Sequence, residues 1–111
     1  MSINSRVKGK GYELEIASLL REYGYEGRRT GQRQAQIGDG SPDVDGLPGY
    51  HIECKRVARI GRVYDWIEQA DRTCQSDAVS IVFCRGNNKE SLVILRARDF
   101  LDLIADEEQI S

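Results

Sequence analysis

The 111-residue chain is predicted to be an α/β protein in which helices flank one mixed sheet. Three observations predict it. Apolar residues at Tyr12, Ile16, Leu19, Leu20 and Tyr23, and again at Val63, Trp66, Ile67, Ala70 and Cys74, keep helical spacing. Between these stripes, Tyr50, Ile52 and Cys54 alternate with His51, Glu53 and Lys55, the period of a strand. Beyond them, Val79-Ser80-Ile81-Val82-Phe83-Cys84 is almost continuously apolar, as in a central strand covered on both faces.

In chain order, Met1 to Arg6 is expected to be a frayed arm, and the first helix to run from about Val7 to its C-terminal glycine, Gly24. Lys8-Gly9-Lys10-Gly11 reads as a flexible basic approach. Glu13 lies beside the apolar stripe, on the face of Ile16, Ala17 and Leu20, which places it at the edge of the core near the sheet. A helical glutamate considered alone is more often simply solvated. Tyr25 to Thr30 is expected to form a short edge strand ending in Arg28-Arg29. Gly31 to Gly40 has no periodicity and reads as a mobile loop leading into a turn at Ser41-Pro42. Arg28, Arg29 and Arg33 are placed either to track a nucleic-acid backbone or merely to be solvated.

The segment from Ser41 to Lys55 is predicted to be a hairpin. Pro42 launches a short extended run, and Gly46 to Gly49 turns the chain back. Pairing the two runs brings Asp43, Glu53 and Lys55 to one side of the sheet. Two carboxylates and an ammonium group at one point suit a hard divalent cation beside a phosphate. An acid-x-Lys triplet alone arises easily by chance, and a polar strand face is usually the solvated side of a half-buried strand. The upstream Pro-Asp pair, the intervening turn and the acid on the preceding helix make the combination much rarer than its parts.

After Lys55, Arg56, Arg59 and Arg62 surround a break at Gly61 before the second helix, where Trp66 reads as core and Glu68 or Gln69 is placed to face the carboxylates. Arg85 to Asn88 turns the chain, Leu92 to Leu95 is a strand, and Asp99 to Ala105 is a last helix with an acidic tail. The apolar residues of Leu92–Leu95 and Phe100–Ile104 exceed what one small core covers, so a twofold homodimer is expected to hide them.

The length suits a single domain. No apolar run approaches the roughly 20 residues of a membrane span, and no signal-peptide core is present at the start, so a cytoplasmic location away from membranes is expected. Cys54, Cys74 and Cys84 are odd in number and show no Cys-x-x-Cys spacing, which argues for reduced thiols. The formal net charge is −2, but Asp99, Asp102, Asp106, Glu107 and Glu108 lie beyond every basic residue; the other 13 acids against 16 bases leave the body at +3.

These residues resemble the PD-(D/E)XK nuclease superfamily, whose pattern is met by Pro42-Asp43 and Glu53-Cys54-Lys55. Lys8-Gly9-x-x-x-Glu13, the run from Arg29 to Gly31 and the short length resemble archaeal and phage Holliday-junction resolvases, over residues 6 to 95. The resemblance implies a restriction-endonuclease-like αβββαβ core and a DNA endonuclease that uses Mg²⁺, with Mn²⁺ able to substitute, on branched DNA. It implies catalysis by Glu13, Asp43, Glu53 and Lys55. Asp43, Glu53 and the backbone carbonyl of Cys54 would hold the metal, with Glu13 as a further ligand, and Lys55 would orient or deprotonate the attacking water. Lys8, Lys10, Arg28, Arg29 and Arg33 would contact DNA. Small phage nucleases of the VRR type share this core and often carry a glutamine on the following helix, which Gln69 matches; flap- or end-directed cleavage by a monomer is the alternative they imply. A basic α/β module that recruits DNA without cutting it is also open.

Overall fold

The computed structural model describes residues 2–31, 42–74 and 76–110, with side chains described within those spans from Gly9 to Glu107. Its elements are α1 (Ser2–Glu22), β1 (Arg28–Arg29), β2 (Val44–Asp45), β3 (Tyr50–Arg56), α2 (Val63–Thr73), β4 (Val79–Arg85), β5 (Leu92–Ile94) and α3 (Ala97–Ile110). The strands form one sheet in the order β1-β2-β3-β4-β5. All neighbours are antiparallel except β3 and β4, which run parallel. A parallel pair needs a long crossover, and α2 supplies it. The predicted α/β class with a mixed sheet holds, and α1-β1-β2-β3-α2-β4 is the implied αβββαβ order.

Helices cover the sheet on both faces. On one face, Tyr12, Ile16, Ala17 and Leu20 of α1 pack on Val44, Ile52, Ile81 and Phe83. On the other, Ile67 and Ala70 of α2 pack on Val82 and Cys84, with Trp66 and Ile94 at the margin. Fully burying one large aliphatic side chain stabilises by about 1.5–3 kcal/mol, so these two layers are the main source of stability. Placed between them, β3 has a buried ionisable face: His51 and Glu53 are each only 5% exposed. It is therefore not the solvated side of a half-buried strand.

Local chemistry sets the hairpin. Gly46 has φ of 112°, and a Cβ there would collide with the backbone of Glu26, so only glycine lets β2 turn beneath the α1–β1 connection. The Asp45 carboxylate accepts the Gly46 N–H at 2.8 Å and closes the turn.

Two expectations about the ends need correction. The segment predicted as a frayed arm and a flexible Lys8-Gly9-Lys10-Gly11 approach is helical, because α1 begins at Ser2. Gly9 and Gly11 cost the helix about 1 kcal/mol each relative to alanine, but a helix nucleated by its packed second half propagates through them. The last helix, expected over Asp99–Ala105, runs from Ala97 to Ile110. Its apolar residues are uncovered: Phe100, Leu101, Leu103 and Ile104 are all exposed, Leu101 by 60%. No helix among the described residues is long and apolar enough to cross a membrane.

Candidate active site

The hairpin fixes Asp43 against β3 through two bonds that bracket Glu53. The Asp43 N–H donates to the Ile52 carbonyl at 2.9 Å, and the Asp43 carboxylate accepts the Cys54 N–H at 2.9 Å. A side chain thus occupies a position that a ladder carbonyl would otherwise fill, which locks the carboxylate beside Glu53. Burial raises the proton affinity of Asp43; the Cys54 N–H and the charges of Lys55, His51 and Arg29 oppose this.

Glu53 is the most perturbed carboxyl group of the site. Burial, and then the neighbouring Asp43 charge, push its pKa up to about 7, with Glu13 adding to the effect and Lys55 opposing it. Among the described residues no hydrogen-bond donor reaches its carboxylate; His51 Nε2 lies 4.0 Å away. Burial drives the His51 imidazole towards its neutral form, so this is a contact and not an ion pair. His51 Nε2 instead meets Thr73 Oγ1 of α2 at 2.9 Å. Thr73 Oγ1 lies 3.2 Å from the Ala70 carbonyl, to which it donates, so the hydroxyl oxygen accepts from the ring.

Lys55 donates from Nζ to Gln69 Oε1 of α2 at 2.8 Å. This settles which polar residue of α2 turns to the sheet: Gln69 does, while Glu68 is exposed. The position of α2 is held from outside by Asp71, whose carboxylate accepts from both Arg96 terminal nitrogens, at 3.1 and 2.6 Å, and from Ser80 Oγ at 2.7 Å. Hydrogen bonds from Arg96 and Ser80 hold the Asp71 pKa below its ordinary value.

Glu13 approaches from α1 and is tied to Arg29 of β1, Nε to Oε1, at 2.7 Å. Burial and the charge of Asp43 raise its proton affinity; the Arg29 bond lowers it. Arg29, expected at the DNA backbone, is thus committed to Glu13. Arg28 is exposed and pairs with Asp45 at 3.2 Å. Lys10 is exposed. The Lys8 side chain, Arg33, Ser41 and the expected loop over residues 32–40 lie outside the described residues.

Hydrolysis with a thiolate nucleophile is disfavoured, because burial raises the Cys54 pKa well above the ordinary thiol value. Among the described residues no group of three or more His, Cys, Asp or Glu side chains is arranged to hold a metal ion. Glu13 is engaged with Arg29, and the hairpin itself supplies two side-chain carboxylates, Asp43 and Glu53. The donor set still suits a hard divalent cation: a buried carboxylate without a donor, a second carboxylate beside it, and the Cys54 backbone between them. Reading the residues one by one missed Arg29 as the partner of Glu13, Thr73 as the partner of His51, and the Asp71–Arg96 clamp; no spacing rule links those positions.

A mixed sheet whose central hairpin sets an aspartate beside a Glu-x-Lys strand is the arrangement of the PD-(D/E)XK nucleases. The chain belongs to the family described as "Phage putative PDDEXK endonuclease", whose sequence model matches residues 4–111. No curated protein matches the chain.

Proposed function

We propose that this protein is a Mg²⁺-dependent DNA endonuclease acting on branched DNA. The observation that carries this reading is the buried, donor-free carboxylate of Glu53 held beside Asp43 and next to Lys55. An apo site with adjacent buried carboxylates is electrostatically frustrated, and a divalent cation relieves it. Asp43, Glu53 and the Cys54 carbonyl oxygen would hold the metal, which when bound supplies charge neutralisation at the phosphate and an activated water. Mn²⁺ offers the same preference for oxygen ligands and would substitute.

The chain's own groups do the rest. Lys55 has three N–H donors and uses one on Gln69, so two remain to orient the attacking water and a phosphate oxygen. Gln69 holds the ammonium group in place, and α2 closes the face against bulk water, which strengthens the interactions beneath it. Glu13 belongs to the same electrostatic unit, with Arg29 setting its position. Lys8, Lys10, Arg28 and Arg33 remain the candidates for phosphate contact.

The uncovered apolar side chains of β5 and α3 favour a homodimer, since a 14-residue helix without a packed face is marginal in water. A twofold dimer would present two sites of opposed polarity to a four-way junction. The Lys55–Gln69 bond favours a second reading, a flap- or end-directed nuclease like those of the VRR type. Incubation with linear duplex, single-stranded, flap and four-way-junction DNA, with and without Mg²⁺, separates these readings. Metal-dependent cleavage greatest on the junction supports the first, greatest on flaps or ends supports the second, and none on any substrate overturns both.

A further inference from the structure

We propose that the cleft between the β3–α2 loop and the β4–β5 turn binds an unpaired nucleotide of the DNA next to the phosphate that is cut. The proposal deepens the nuclease reading and rests on it, because it names the part of the substrate that lies beside the Asp43–Glu53–Lys55 face.

Its location comes from the topology. β3 and β4 are the parallel pair, and the loops leaving both carboxyl ends meet there; in open α/β sheets that end is where ligands bind. The Val57 N–H donates to the Arg85 carbonyl at 3.2 Å, which joins the loops at their roots. Gly86 is buried beside the Ala58 and Val57 carbonyls, which brings the two loops into contact. Above this floor opens a cleft of about 510 Å³ lined by Ala58, Arg59, Ile60, Lys89 and Leu92 among others. That lies in the usual range of small-ligand pockets, about 300–1,000 Å³. Ala58 follows Lys55 by three residues, so their Cα atoms are no more than about 11 Å apart.

Its chemistry selects the ligand. Most of the lining is apolar, with Ile60 and Leu92 contributing, and the exposed Arg59, Lys89 and Glu90 also line it, two cations against one acid. Neither cation makes an ion pair among the described residues. A duplex offers such a cleft phosphates, sugars and base edges but no base faces, because those are stacked inside. An unstacked base offers an apolar face to the wall and its own phosphate to the cations, and guanidinium planes also stack on bases. Among the described residues the only non-glycine positions with positive φ, Arg62 at 45° and Asn88 at 59°, fall on these two loops. Such strain concentrates where ligands are held.

The test is fluorescence anisotropy with the full chain in EDTA. The probes are labelled oligothymidine of 12 nucleotides, the same length built of abasic sites, and a blunt hairpin duplex. Oligothymidine is expected to bind about tenfold more tightly than either other probe. Ala58→Trp, at an exposed position, fills the cleft and is expected to weaken oligothymidine by about tenfold while leaving the duplex unchanged. Arg59→Ala, which removes charge without filling the cleft, is expected to weaken all three probes. Equal affinity of wild type for the thymidine and abasic strands overturns the proposal, as does unchanged oligothymidine binding by a folded Ala58→Trp. Cleavage of linear duplex, single-stranded, flap and four-way-junction DNA in Mg²⁺ by the same preparations reports on the nuclease reading separately. Cleavage without base-dependent binding removes the cleft alone; base-dependent binding without cleavage on any substrate removes the nuclease reading and keeps the cleft.

Discussion

Lys55 of β3 and Gln69 of α2 are joined by a 2.8 Å hydrogen bond from Nζ to Oε1, so the lysine of the central strand is positioned by the helix that crosses over it. Gln69 accepts without adding charge. Gln69→Ala is expected to lower the single-turnover cleavage rate on the order of tenfold with little change in stability, the usual size of losing an orienting partner. Gln69→Glu adds a fourth acid to the group of Glu13, Asp43 and Glu53 and is expected to shift the pH–rate profile as well. An alanine variant with the wild-type rate would make the bond purely structural.

The second expectation concerns Glu13, held by Arg29 at 2.7 Å and in the field of Asp43. Glu13→Gln is expected to weaken Mg²⁺ binding by about tenfold and to regain much of its activity at higher Mg²⁺ or Mn²⁺. Calorimetry in the absence of DNA measures it. Unchanged binding together with unchanged turnover would make Glu13 a structural partner of Arg29 alone.

The third concerns pH. The Glu53 pKa rises from an ordinary value of 4.5 to about 7 in the fold. A raised folded value means that the folded state holds this proton more tightly. The stabilisation is complete below about 4.5 and is lost as pH rises through about 7. Asp43, also raised, acts in the same direction. Metal-free protein is therefore expected to lose up to about 3 kcal/mol between pH 4.5 and pH 8 on account of Glu53. Denaturant titrations in EDTA should show Glu53→Gln with a flatter profile and greater stability than wild type at pH 8, and Mg²⁺ should restore the wild type. Parallel profiles for the two proteins would contradict this placement of the carboxyl group.

Much of this was legible in residue spacing. The period of two in Tyr50 to Lys55 and the Gly46–Gly49 turn put Asp43, Glu53 and Lys55 together, because strand geometry leaves side chains only two faces. Burial of the ionisable face was not legible: a strand with His51, Glu53 and Lys55 on one side looks solvated until α2 is seen to cover it. Pairs such as Glu13–Arg29 and Asp71–Arg96 depend on how elements pack, to which local periodicity is blind. The start of α1 was hidden by Gly9 and Gly11, whose weak helix propensity is overridden by the packed turns that follow.

The fourth expectation concerns assembly. Leu101 and Ile104 of α3 are exposed, with Leu92 and Val93 exposed on the edge strand β5. Leu101→Asp with Ile104→Asp is expected to convert a micromolar-range dimer into a monomer, read by light scattering, while the far-ultraviolet spectrum stays that of an α/β fold. A wild-type monomer at tens of micromolar would remove the homodimer and leave the site intact.

The measurement that bears most directly on the nuclease assignment is metal-dependent cleavage by hairpin variants. Asp43→Asn keeps an oxygen to accept the Cys54 N–H, and Glu53→Gln keeps the shape of a buried side chain, so both should fold. Wild type is expected to cut DNA in Mg²⁺ and to stop in EDTA. Asp43→Asn, Glu53→Gln and Lys55→Ala are each expected to fall by about a thousandfold or more, the several kcal/mol that metal and charge stabilisation supply. Cleavage that survives EDTA, or a wild-type rate in any one of the three, would contradict the assignment.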